Sequence, residues 1–353
     1  MEYVRLGDYV NIKTGKLDAN AATNDGLYPF FTCSKEISRI DKYSYDTECV
    51  LVAGNGDLNV KYYNGKFDAY QRTYIIENNQ DSLFYVKYIY YFMCRYIYEL
   101  KKQTVGGIIK FIKLGNLTEA RIPLLSKKEQ LNVISLFEKI NCILESKTRE
   151  LTDLDTLIKS QFIEMFGDSN NSKGYPIIQV GDYCDKIQVG IVIKPSKYYV
   201  QNGGVKSFRS LNAGELYVKD ENWVEISLEG NRENSKSILN ENDVVIVRSG
   251  NPGTSCVIPK KYSGYNAIDL IIARVNQNLC NSYYLSSFTN FEHGMKQIKE
   301  GTGGAAQQHF NVSKYSKMKI FDVEKKYQDQ FAAIVEQIDK SKSINKMSLI
   351  LQF

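Results

Sequence analysis

The sequence has 353 residues, of which 43% are apolar and 24% charged, a composition that is typical of soluble globular proteins and sufficient for two domains with separate cores. The net charge of +5 (45 basic minus 40 acidic residues) is too small to indicate a polyanionic partner by itself. Seven cysteines without a Cys-x-x-Cys pair argue against a disulfide framework and a zinc ribbon. The sequence has neither an apolar signal region nor a run of about 18 apolar residues, so we expect a cytoplasmic protein without a membrane span.

Residues 1–125 are predicted to form a first domain that is mostly β. The runs VKYY (60–63) and FDAYQRTYII (67–76) are rich in β-branched and aromatic residues, and Gly, Asn and Asp separate them. This pattern is typical of short strands joined by turns. One helix is predicted over 86–103, with the sequence VKYIYYFMCRYIYELKKQ.

A glycine loop, Gly54-Asn55-Gly56, follows an apolar run and raises the question of a nucleotide site. A cofactor loop of this kind has to open a helix whose N-terminus faces the ligand. The residues that follow, DLNVKYYNGKFDAYQ, instead predict strand, turn and strand. No phosphate-binding G-x-x-x-x-G-K-[ST] motif is present, and the two histidines lack a metal-ligand spacing. We therefore predict that the loop is a turn and that this chain is not an enzyme.

A long helix is predicted over 126–166, because this segment has neither Pro nor Gly and consists largely of good helix formers. Apolar residues recur at alternating spacings of four and three, as in a coiled-coil seam. Forty residues at about 1.5 Å each give a rod of roughly 60 Å. The predicted seam residues are Val133, Phe137, Ile140, Leu144, Leu151, Leu154 and Ile158.

The chain then repeats itself. LGDY (6–9) returns as VGDY (180–183), and Gln130 returns as Gln328. Further matches follow in the same order, while their offset grows from 174 to 196 residues and settles at 198, which places about 22 extra residues in the second copy. Such ordered self-similarity indicates two copies of one unit, each a mostly-β domain followed by a helix.

The second copy is predicted to contain a β domain over 175–322 and a shorter helix over 323–353. One helix is predicted within this domain over 282–300. The terminal helix continues the seam with Phe331, Val335, Ile338 and Leu349. Pairing of the two apolar stripes around a pseudo-two-fold axis makes the long helices antiparallel. The alternative that remains open is that each helix folds back on its own β domain.

Two polar, glycine-rich loops recur in each copy and are the candidate binding surfaces. Glycine allows the main chain to approach a phosphate backbone closely, and Arg, Lys, Asn and Gln suit base edges and phosphates. A solvated surface loop is the simpler explanation for any one of these residues, but recurrence in both copies favours a DNA contact. The candidates are Asn55, Lys61, Gln71, Arg72, Lys101, Lys102, Gln103, Thr104 and Lys110 in the first copy, and Arg248, Ser249, Asn251, Thr254, Lys260, Lys261, Thr302, Gln307 and Gln308 in the second.

This arrangement resembles the DNA specificity subunit of type I restriction-modification systems. The resemblance covers essentially the whole chain and is carried by LGD (6–8) and its counterpart VGD (180–182), by ARIPLLSKKEQ (120–130), and by a long helix that ends in FIEMFGD (162–168). It implies target-recognition domains over 1–125 and 175–322, with conserved-region helices over 126–168 and 323–353.

The resemblance implies that each domain reads one half of a bipartite DNA site, while the paired helices set the unread spacer and dock modification subunits. S-adenosylmethionine, ATP and magnesium are then expected in the partner subunits (the modification subunits and, where present, motor-nuclease subunits) and no cofactor in this chain. An alternative is a helical scaffold for partner proteins with only minor DNA affinity.

Overall fold

The computed structural model describes residues 1–106, 109–302 and 310–350, without the side chains of 301, 302 and 344–350. The chain divides into two compact units, residues 1–145 (unit 1) and 146–353 (unit 2). Gln307, Gln308 and the side chains of Thr302 and Leu349 lie outside the described residues. Within those ranges no helix is long and apolar enough to cross a membrane.

Unit 1 consists of a six-stranded sheet, a two-stranded sheet and helices. Its elements are β1 (Tyr3–Arg5), β2 (Val10–Thr14), β3 (Tyr28–Phe31), β4 (Ser38–Ile40), β5 (Tyr45–Ala53), β6 (Val60–Ala69), β7 (Thr73–Asn78), α1 (Val86–Lys102), α2 (Leu114–Thr118), β8 (Arg121–Pro123) and the first half of α3 (Lys127–Phe166). The large sheet has the order β2-β7-β5-β6-β3-β4, and β1 pairs with β8. The predicted helix over 86–103 is confirmed as α1.

Both faces of the large sheet are buried, which follows from the alternation of side chains along a strand. Val50 and Val52 of β5 pack on one face, in the same core as Ile89 and Met93 of α1. Leu51 faces the opposite side and joins a second core that contains Phe31 and Phe67. The continuous apolar run of β5 is therefore that of a central strand covered on both sides.

Unit 2 contains the second half of α3 and the elements of the second copy. These are β9 (Ile177–Gln179), β10 (Cys184–Val189), β11 (Tyr199–Val200), β12 (Val205–Phe208), β13 (Val224–Ile226), α4 (Leu228–Glu233), β14 (Val244–Val247), β15 (Ser255–Val257), β16 (Asn266–Ala267), β17 (Leu270–Val275), α5 (Ser282–Asn290), α6 (Glu292–Thr302), α7 (Val312–Ser316), β18 (Lys319–Phe321) and α8 (Lys325–Ile350). Its sheets have the orders β10-β17-β14-β15, β11-β13-β12-β16 and β9-β18.

The two units share one strand plan, so the predicted fold class of tandem, mostly-β domains with long helices is confirmed. The antiparallel pair β1–β8, in which Tyr3 opposes Pro123, corresponds to β9–β18, in which Ile177 opposes Phe321. The parallel pair β3–β6 corresponds to β12–β16. The single strand β6 of unit 1 is represented in unit 2 by the two strands β15 and β16. The extra residues of unit 2 add β11 and α4.

One predicted helix is divided. The segment 282–300 was expected to be continuous, but α5 ends at Asn290 and α6 begins at Glu292. Phe291 between them has extended backbone angles, φ −87° and ψ 180°. The Phe291 side chain is buried against Phe162, and this tertiary packing overrides the local helical pattern.

Within unit 2, α3 and α8 pair in opposite directions. Phe162 packs on Phe331 with ring centroids 5.3 Å apart, whereas Asp155, one heptad earlier on α3, pairs with Lys342, eleven residues later on α8, at 2.6 Å. Ile158 joins Val335 and Ile338 in the same core. This confirms antiparallel helix pairing for the second half of α3.

The prediction that Val133 and Phe137 face the other long helix is wrong. Phe137 stacks on Tyr91 of α1 with ring centroids 4.8 Å apart, and Val133 packs against the core of unit 1. Lys87 of α1 also pairs with Glu138 at 2.6 Å. The first turns of α3 therefore pack on α1 and the core of their own unit.

Candidate nucleic-acid interface

In unit 1 the two predicted loops are joined by main-chain hydrogen bonds. The amide of Ile112 donates to the carbonyl of Gly54 at 2.9 Å, and the amide of Gly56 donates to the carbonyl of Lys110 at 3.0 Å. Asn55 also forms an isolated bridge with Phe111. Main-chain bonds thus join the turn after β5 to the segment before α2, and the sequence had not indicated that these loops touch.

Glycine is required at two positions of this turn, for different reasons. A Cβ atom on Gly54 would lie 2.4 Å from the carbonyl oxygen of Arg72, while Gly56 adopts φ +68°, which residues other than glycine rarely tolerate. After the turn the chain enters β6, as predicted, and not a helix. The Gly-Asn-Gly sequence therefore shapes the junction between β5, β6 and β7.

Several predicted contact residues are exposed at this junction. Asn55 is half-buried, and Gln71, Arg72 and Lys110 are exposed. The main chain of Arg72 accepts the amide of Gly54 at 2.8 Å, which places its side chain next to the glycine turn. Neither Arg72 nor Lys110 forms an ion pair with a described residue. These are the groups best placed to meet a ligand at this edge.

Other predicted residues are held by neighbours in the same loops. Lys101 pairs with Asp57 at 3.6 Å and Lys102 with Glu99 at 2.8 Å. The side-chain carbonyl of Gln103 accepts from Asn116 at 3.0 Å, and the Thr104 hydroxyl donates to the carbonyl of Lys101 at 2.9 Å. These contacts order the loop after α1.

Lys61 has a structural role in this cluster. Its ammonium donates to the carbonyl of Ser34 at 2.6 Å and to the side chain of Asn59, and burial lowers the pKa of Lys61. Asn59 in turn donates to the carbonyl of Cys33 at 2.8 Å. Lys61 therefore ties a third loop, residues 32–36, to the turn after β5.

Two exposed cations of this junction were missed. Lys35 of the third loop pairs with Asp57 at 3.1 Å. Lys16 is placed here by the main chain of its two neighbours: the amide of Gly15 donates to the carbonyl of Thr73, and the carbonyl of Leu17 accepts from the amide of Gln71 at 2.9 Å. The sequence signal was weak, because the loops that hold Lys16 and Lys35 carry no pattern repeated in the second copy. Only the pairing of distant strands brings them here.

Unit 2 has the corresponding cluster at the end of β14. The amide of Phe310 donates to the carbonyl of Arg248 at 3.0 Å, as that of Ile112 does to Gly54. The Arg248 guanidinium pairs with Asp269 at 3.4 Å, and its Nε is buried without a hydrogen-bond partner among the described residues. Asn251 donates to the Thr254 hydroxyl at 2.9 Å. Ser249 is half-buried in the same turn.

The two predicted lysines of the following turn differ in their surroundings. Lys260 and Lys261 lie in a short 3-10 helix, Lys260–Tyr262, between β15 and β16. Lys261 forms an ion pair with Asp220, which raises the pKa of Lys261, and its ammonium lies over the ring of Tyr262. Lys260 is exposed and has no ion pair with a described residue.

A buried glutamine joins each β domain to its helix. Gln130 of α3 is fully buried, accepts the amide of Tyr85 at 2.9 Å, and donates to the carbonyls of Leu83 at 2.9 Å and Leu125 at 2.8 Å. All three bonds link the helix to backbone that precedes α1 or α3.

Gln328 of α8 repeats this pattern. It is fully buried, accepts the amide of Asn281 at 2.8 Å, and donates to the carbonyls of Val323 at 2.7 Å and Leu279 at 3.4 Å. A buried side-chain amide whose strong hydrogen bonds are all made favours a single packing of the helix against the backbone that it joins. The sequence repeat had identified this pair without indicating what it does.

The described residues contain no group of three or more His, Cys, Asp or Glu side chains that could hold a metal ion. His293 is buried, its Nε2 is bonded to the carbonyl of Gly167 at 3.0 Å, and desolvation lowers the pKa of the imidazole. These surroundings are those of a packed core histidine. The chemistry offered by both loop clusters is hydrogen bonding and positive charge.

The first copy is similar to known DNA specificity proteins in two comparisons. Residues 1–144 match the family model of the type I restriction modification DNA specificity domain. The specificity subunit of the type I restriction enzyme EcoDI from Escherichia coli is 38% identical over 156 residues, which are 44% of this chain and 34% of that protein. The matched region thus spans about a third of the length of this relative.

Two solved structures share the fold of the whole chain. The S subunit of a type I restriction-modification system from M. genitalium superposes with a TM-score of 0.59 at 15% identity, over 99% of this chain and 91% of that one. A chain from a structural study of complex assembly and conformational transition of the type I R-M system gives a TM-score of 0.57 at 15% identity, over 99% and 93%. At these identities the likeness establishes the fold.

Proposed function

We propose that the chain is a non-catalytic subunit that recognises a bipartite DNA sequence, because residues 1–144 match the family model of the type I restriction modification DNA specificity domain. The observation that carries the proposal is the recurrence of one loop cluster, at the end of β5 in unit 1 and at the end of β14 in unit 2. Two equivalent surfaces on one chain suit a site with two half-sequences.

Each cluster would contact DNA through main-chain amides near glycine and through the exposed side chains around them. Arg72 and Lys110 in unit 1, and Lys260 in unit 2, would supply charge for phosphates or guanine edges, and Asn55, Gln71 and Asn251 would supply amides for adenine. Lys61, Arg248 and Lys261 already bind protein groups, so in this proposal they order the loops.

The helices would set the spacer and dock the modification subunits. In unit 1, Leu136 and Ile143 lie seven residues apart on α3 and are 57% and 44% exposed. In unit 2, Leu157 is 44% exposed. Exposed apolar residues at heptad spacing suit a partner helix. In this proposal, adenine methylation with its S-adenosylmethionine, and any ATP- and magnesium-dependent cleavage, belong to partner subunits.

Footprinting tests the proposal. The chain is mixed with its modification partner and with DNA that carries the methylated site found by sequencing the host genome. We expect two protected blocks separated by an unprotected gap. One continuous block, or no protection at a site that the complex methylates, would contradict bipartite reading.

A double variant separates DNA recognition from a scaffold role. Arg72→Ala with Lys110→Ala should weaken binding and lower the salt dependence of log K by about 0.9 for each phosphate that the variant no longer neutralises. The matched control is Lys139→Ala with Lys219→Ala, two exposed lysines outside both clusters. If both double variants bind and direct methylation equally well, the scaffold alternative gains.

A further inference from the structure

A short loop with an apolar tip follows β10 in unit 2. Its sequence, residues 190–198, is GIVIKPSKY, and Val192 and Ile193 form what we call the apolar tip. Ile193 is 77% exposed and Val192 is 44% exposed. Among the described residues of unit 2, neither side chain packs in a hydrophobic core. The tip therefore presents apolar area to water, and a ligand that covers this area would gain free energy.

Main-chain bonds place the apolar tip beside the loop cluster of unit 2. The amide of Gly190 donates to the carbonyl of Leu270 at 2.9 Å, and the amide of Asp269 donates to the carbonyl of Ile191 at 3.0 Å. Asp269 in turn pairs with Arg248 of the cluster at 3.4 Å. Since consecutive Cα atoms are about 3.8 Å apart, the Cα atoms of the tip lie within about 8 Å of that of Ile191. The tip and the cluster thus belong to one edge of unit 2.

The loop that carries the tip is held at both ends. The side chain of Ile191 is buried in a small core with Ile226 and Ile268, and Tyr198 packs against the same core. The hydroxyl of Tyr198 also donates to the carboxylate of Glu233 in α4 at 2.8 Å. A loop that is already ordered loses little conformational entropy when its tip binds a ligand.

The residues that follow the tip are basic. Lys194 and Lys197 are exposed, and neither forms an ion pair with a described residue. Residues 189–201 contain no Asp or Glu. Burial of these lysines against the apolar face of a protein would be costly, whereas phosphates would pair with them. The charge therefore favours DNA as the occupant of this loop.

Unit 1 has the same main-chain arrangement with different side chains. The amide of Gln71 donates to the carbonyl of Leu17 at 2.9 Å, which is the equivalent of the bond that Ile191 accepts. The two residues after Leu17 are Asp18 and Ala19. At the position of the apolar tip, unit 1 thus has a carboxylate and a single methyl group.

We propose that the apolar tip recognises thymine in the half-site of unit 2 by contact with the C5-methyl group. This inference rests on the proposed recognition of DNA. In the major groove the thymine methyl is the apolar group of the base edges, and cytosine lacks it. Val192 and Ile193 then distinguish T·A from C·G, while Lys194 and Lys197 contact phosphates beside that base pair.

The test replaces thymines one at a time by deoxyuridine, which lacks only the methyl group. The full chain is assembled with its modification partner, and its affinity for a fluorescein-labelled duplex of the methylated site is measured by fluorescence anisotropy. The parent is compared with the double variant Val192→Ala, Ile193→Ala. The matched control is Leu279→Ala, a residue that is 51% exposed in the turn after β17. Thermal melts followed by circular dichroism verify that all variants are folded.

We expect deoxyuridine to weaken binding by the parent at one or two thymines, all in one half-site. The loss should be about fourfold for each methyl group that the tip covers. The double variant should bind the unmodified duplex more weakly by a similar factor and should no longer respond to deoxyuridine at those thymines. Leu279→Ala should respond like the parent, and thymines of the other half-site should have equal effects in all three proteins.

Two outcomes would overturn the proposal. The first is an equal response of the parent and the double variant to deoxyuridine at every thymine. The second is that the double variant fails to assemble with the modification partner in size-exclusion chromatography, while its response to deoxyuridine is unchanged, because the tip would then dock a protein.

The same complex separates this inference from the proposed function. If the parent does not protect two blocks of DNA in the footprint, bipartite recognition itself is refuted. If it protects two blocks and the deoxyuridine responses are equal, only the thymine contact is refuted.

Discussion

Replacement of Gln328 by alanine should destabilise unit 2 strongly for one side chain. The amide of Gln328 is fully buried and bonds to three backbone groups, at Val323, Leu279 and Asn281. Alanine would leave those groups without partners and would also leave a small cavity.

The magnitude follows from these contacts. A buried polar group without a partner costs about 1–3 kcal/mol, and the bond to Leu279, at 3.4 Å, is the weakest of the three. Allowing for water that enters the vacated space, we expect a loss of about 3 kcal/mol in the free energy of unfolding. With a urea dependence of about 2 kcal/mol per M, the unfolding midpoint should fall by roughly 1.5 M.

The chain provides its own reporter for this measurement. Trp223 is the single tryptophan and packs in unit 2 on Phe208, with ring centroids 4.8 Å apart. Its fluorescence during urea unfolding therefore follows unit 2. Gln337→Ala, at an exposed position of the same helix, is the matched control, and Gln130→Ala removes the equivalent amide from unit 1.

The three variants should differ in their effect on the unfolding of unit 2. Gln328→Ala should shift the Trp223 transition, whereas Gln337→Ala and Gln130→Ala should leave it within about 0.3 M of the parent midpoint, because a surface change costs little. If Gln328→Ala and Gln337→Ala shift the midpoint equally, the hydrogen bonds of the buried amide do not stabilise unit 2 as its contacts indicate. An equal shift by Gln130→Ala would show that the units do not unfold separately.

Three further predictions follow from single features. Burial raises the pKa of Asp243 to about 6, so the folded state favours the neutral acid. About 2 kcal/mol of the free energy of unfolding that is present below pH 4 should therefore be lost as the pH rises from 4 to 6. Urea titrations at a series of pH values should show a smaller loss for Asp243→Asn. Gly54→Ala should abolish only the protected DNA block that unit 1 contacts, because the new Cβ would lie 2.4 Å from the Arg72 carbonyl oxygen. Gly115→Ala, whose Cβ meets nothing within 4 Å, should give the same footprint as the parent. Insertion of one heptad into α3 lengthens it by roughly 10 Å, so sequencing of methylated sites should show a spacer longer by about three base pairs, and an unchanged spacer would count against a ruler.

Much of the fold was accessible from local patterns. The Pro- and Gly-free segment predicted the rod over 126–166, and α3 runs over Lys127–Phe166. Ser126 and Glu129 cap its first turn, since the Ser126 hydroxyl bonds to the Glu129 carboxylate at 2.6 Å. Periodicity and capping are properties of neighbouring residues, so the sequence shows them directly.

Helix partners were less accessible. The seam pattern indicates which side of α3 is apolar, but it does not indicate which surface packs against each turn. Phe137 packs on α1, whereas Ile158 packs on α8, although both belong to one stripe. The pattern also missed Phe162 and Phe166, the most buried aromatic residues of the helix.

The candidate interface divides in the same way. The sequence located the glycine turns and the polar residues in them, because glycine and amide side chains carry recognisable local roles. It could not separate Arg72, which is exposed, from Lys61, whose ammonium is bonded to Ser34. That difference depends on a third loop, about 30 residues earlier in the chain.

The sequence by itself determined the duplication, the boundaries of α1 and α3, the strand-forming runs and the sites of the turns, because each of these is encoded in short-range periodicity or in short repeated motifs. Tertiary structure alone decided which strands pair, which lysines remain available, and which surface covers each turn of α3. The physical reason is that burial and hydrogen-bond satisfaction depend on residues far apart in the chain, whose meeting no local pattern records.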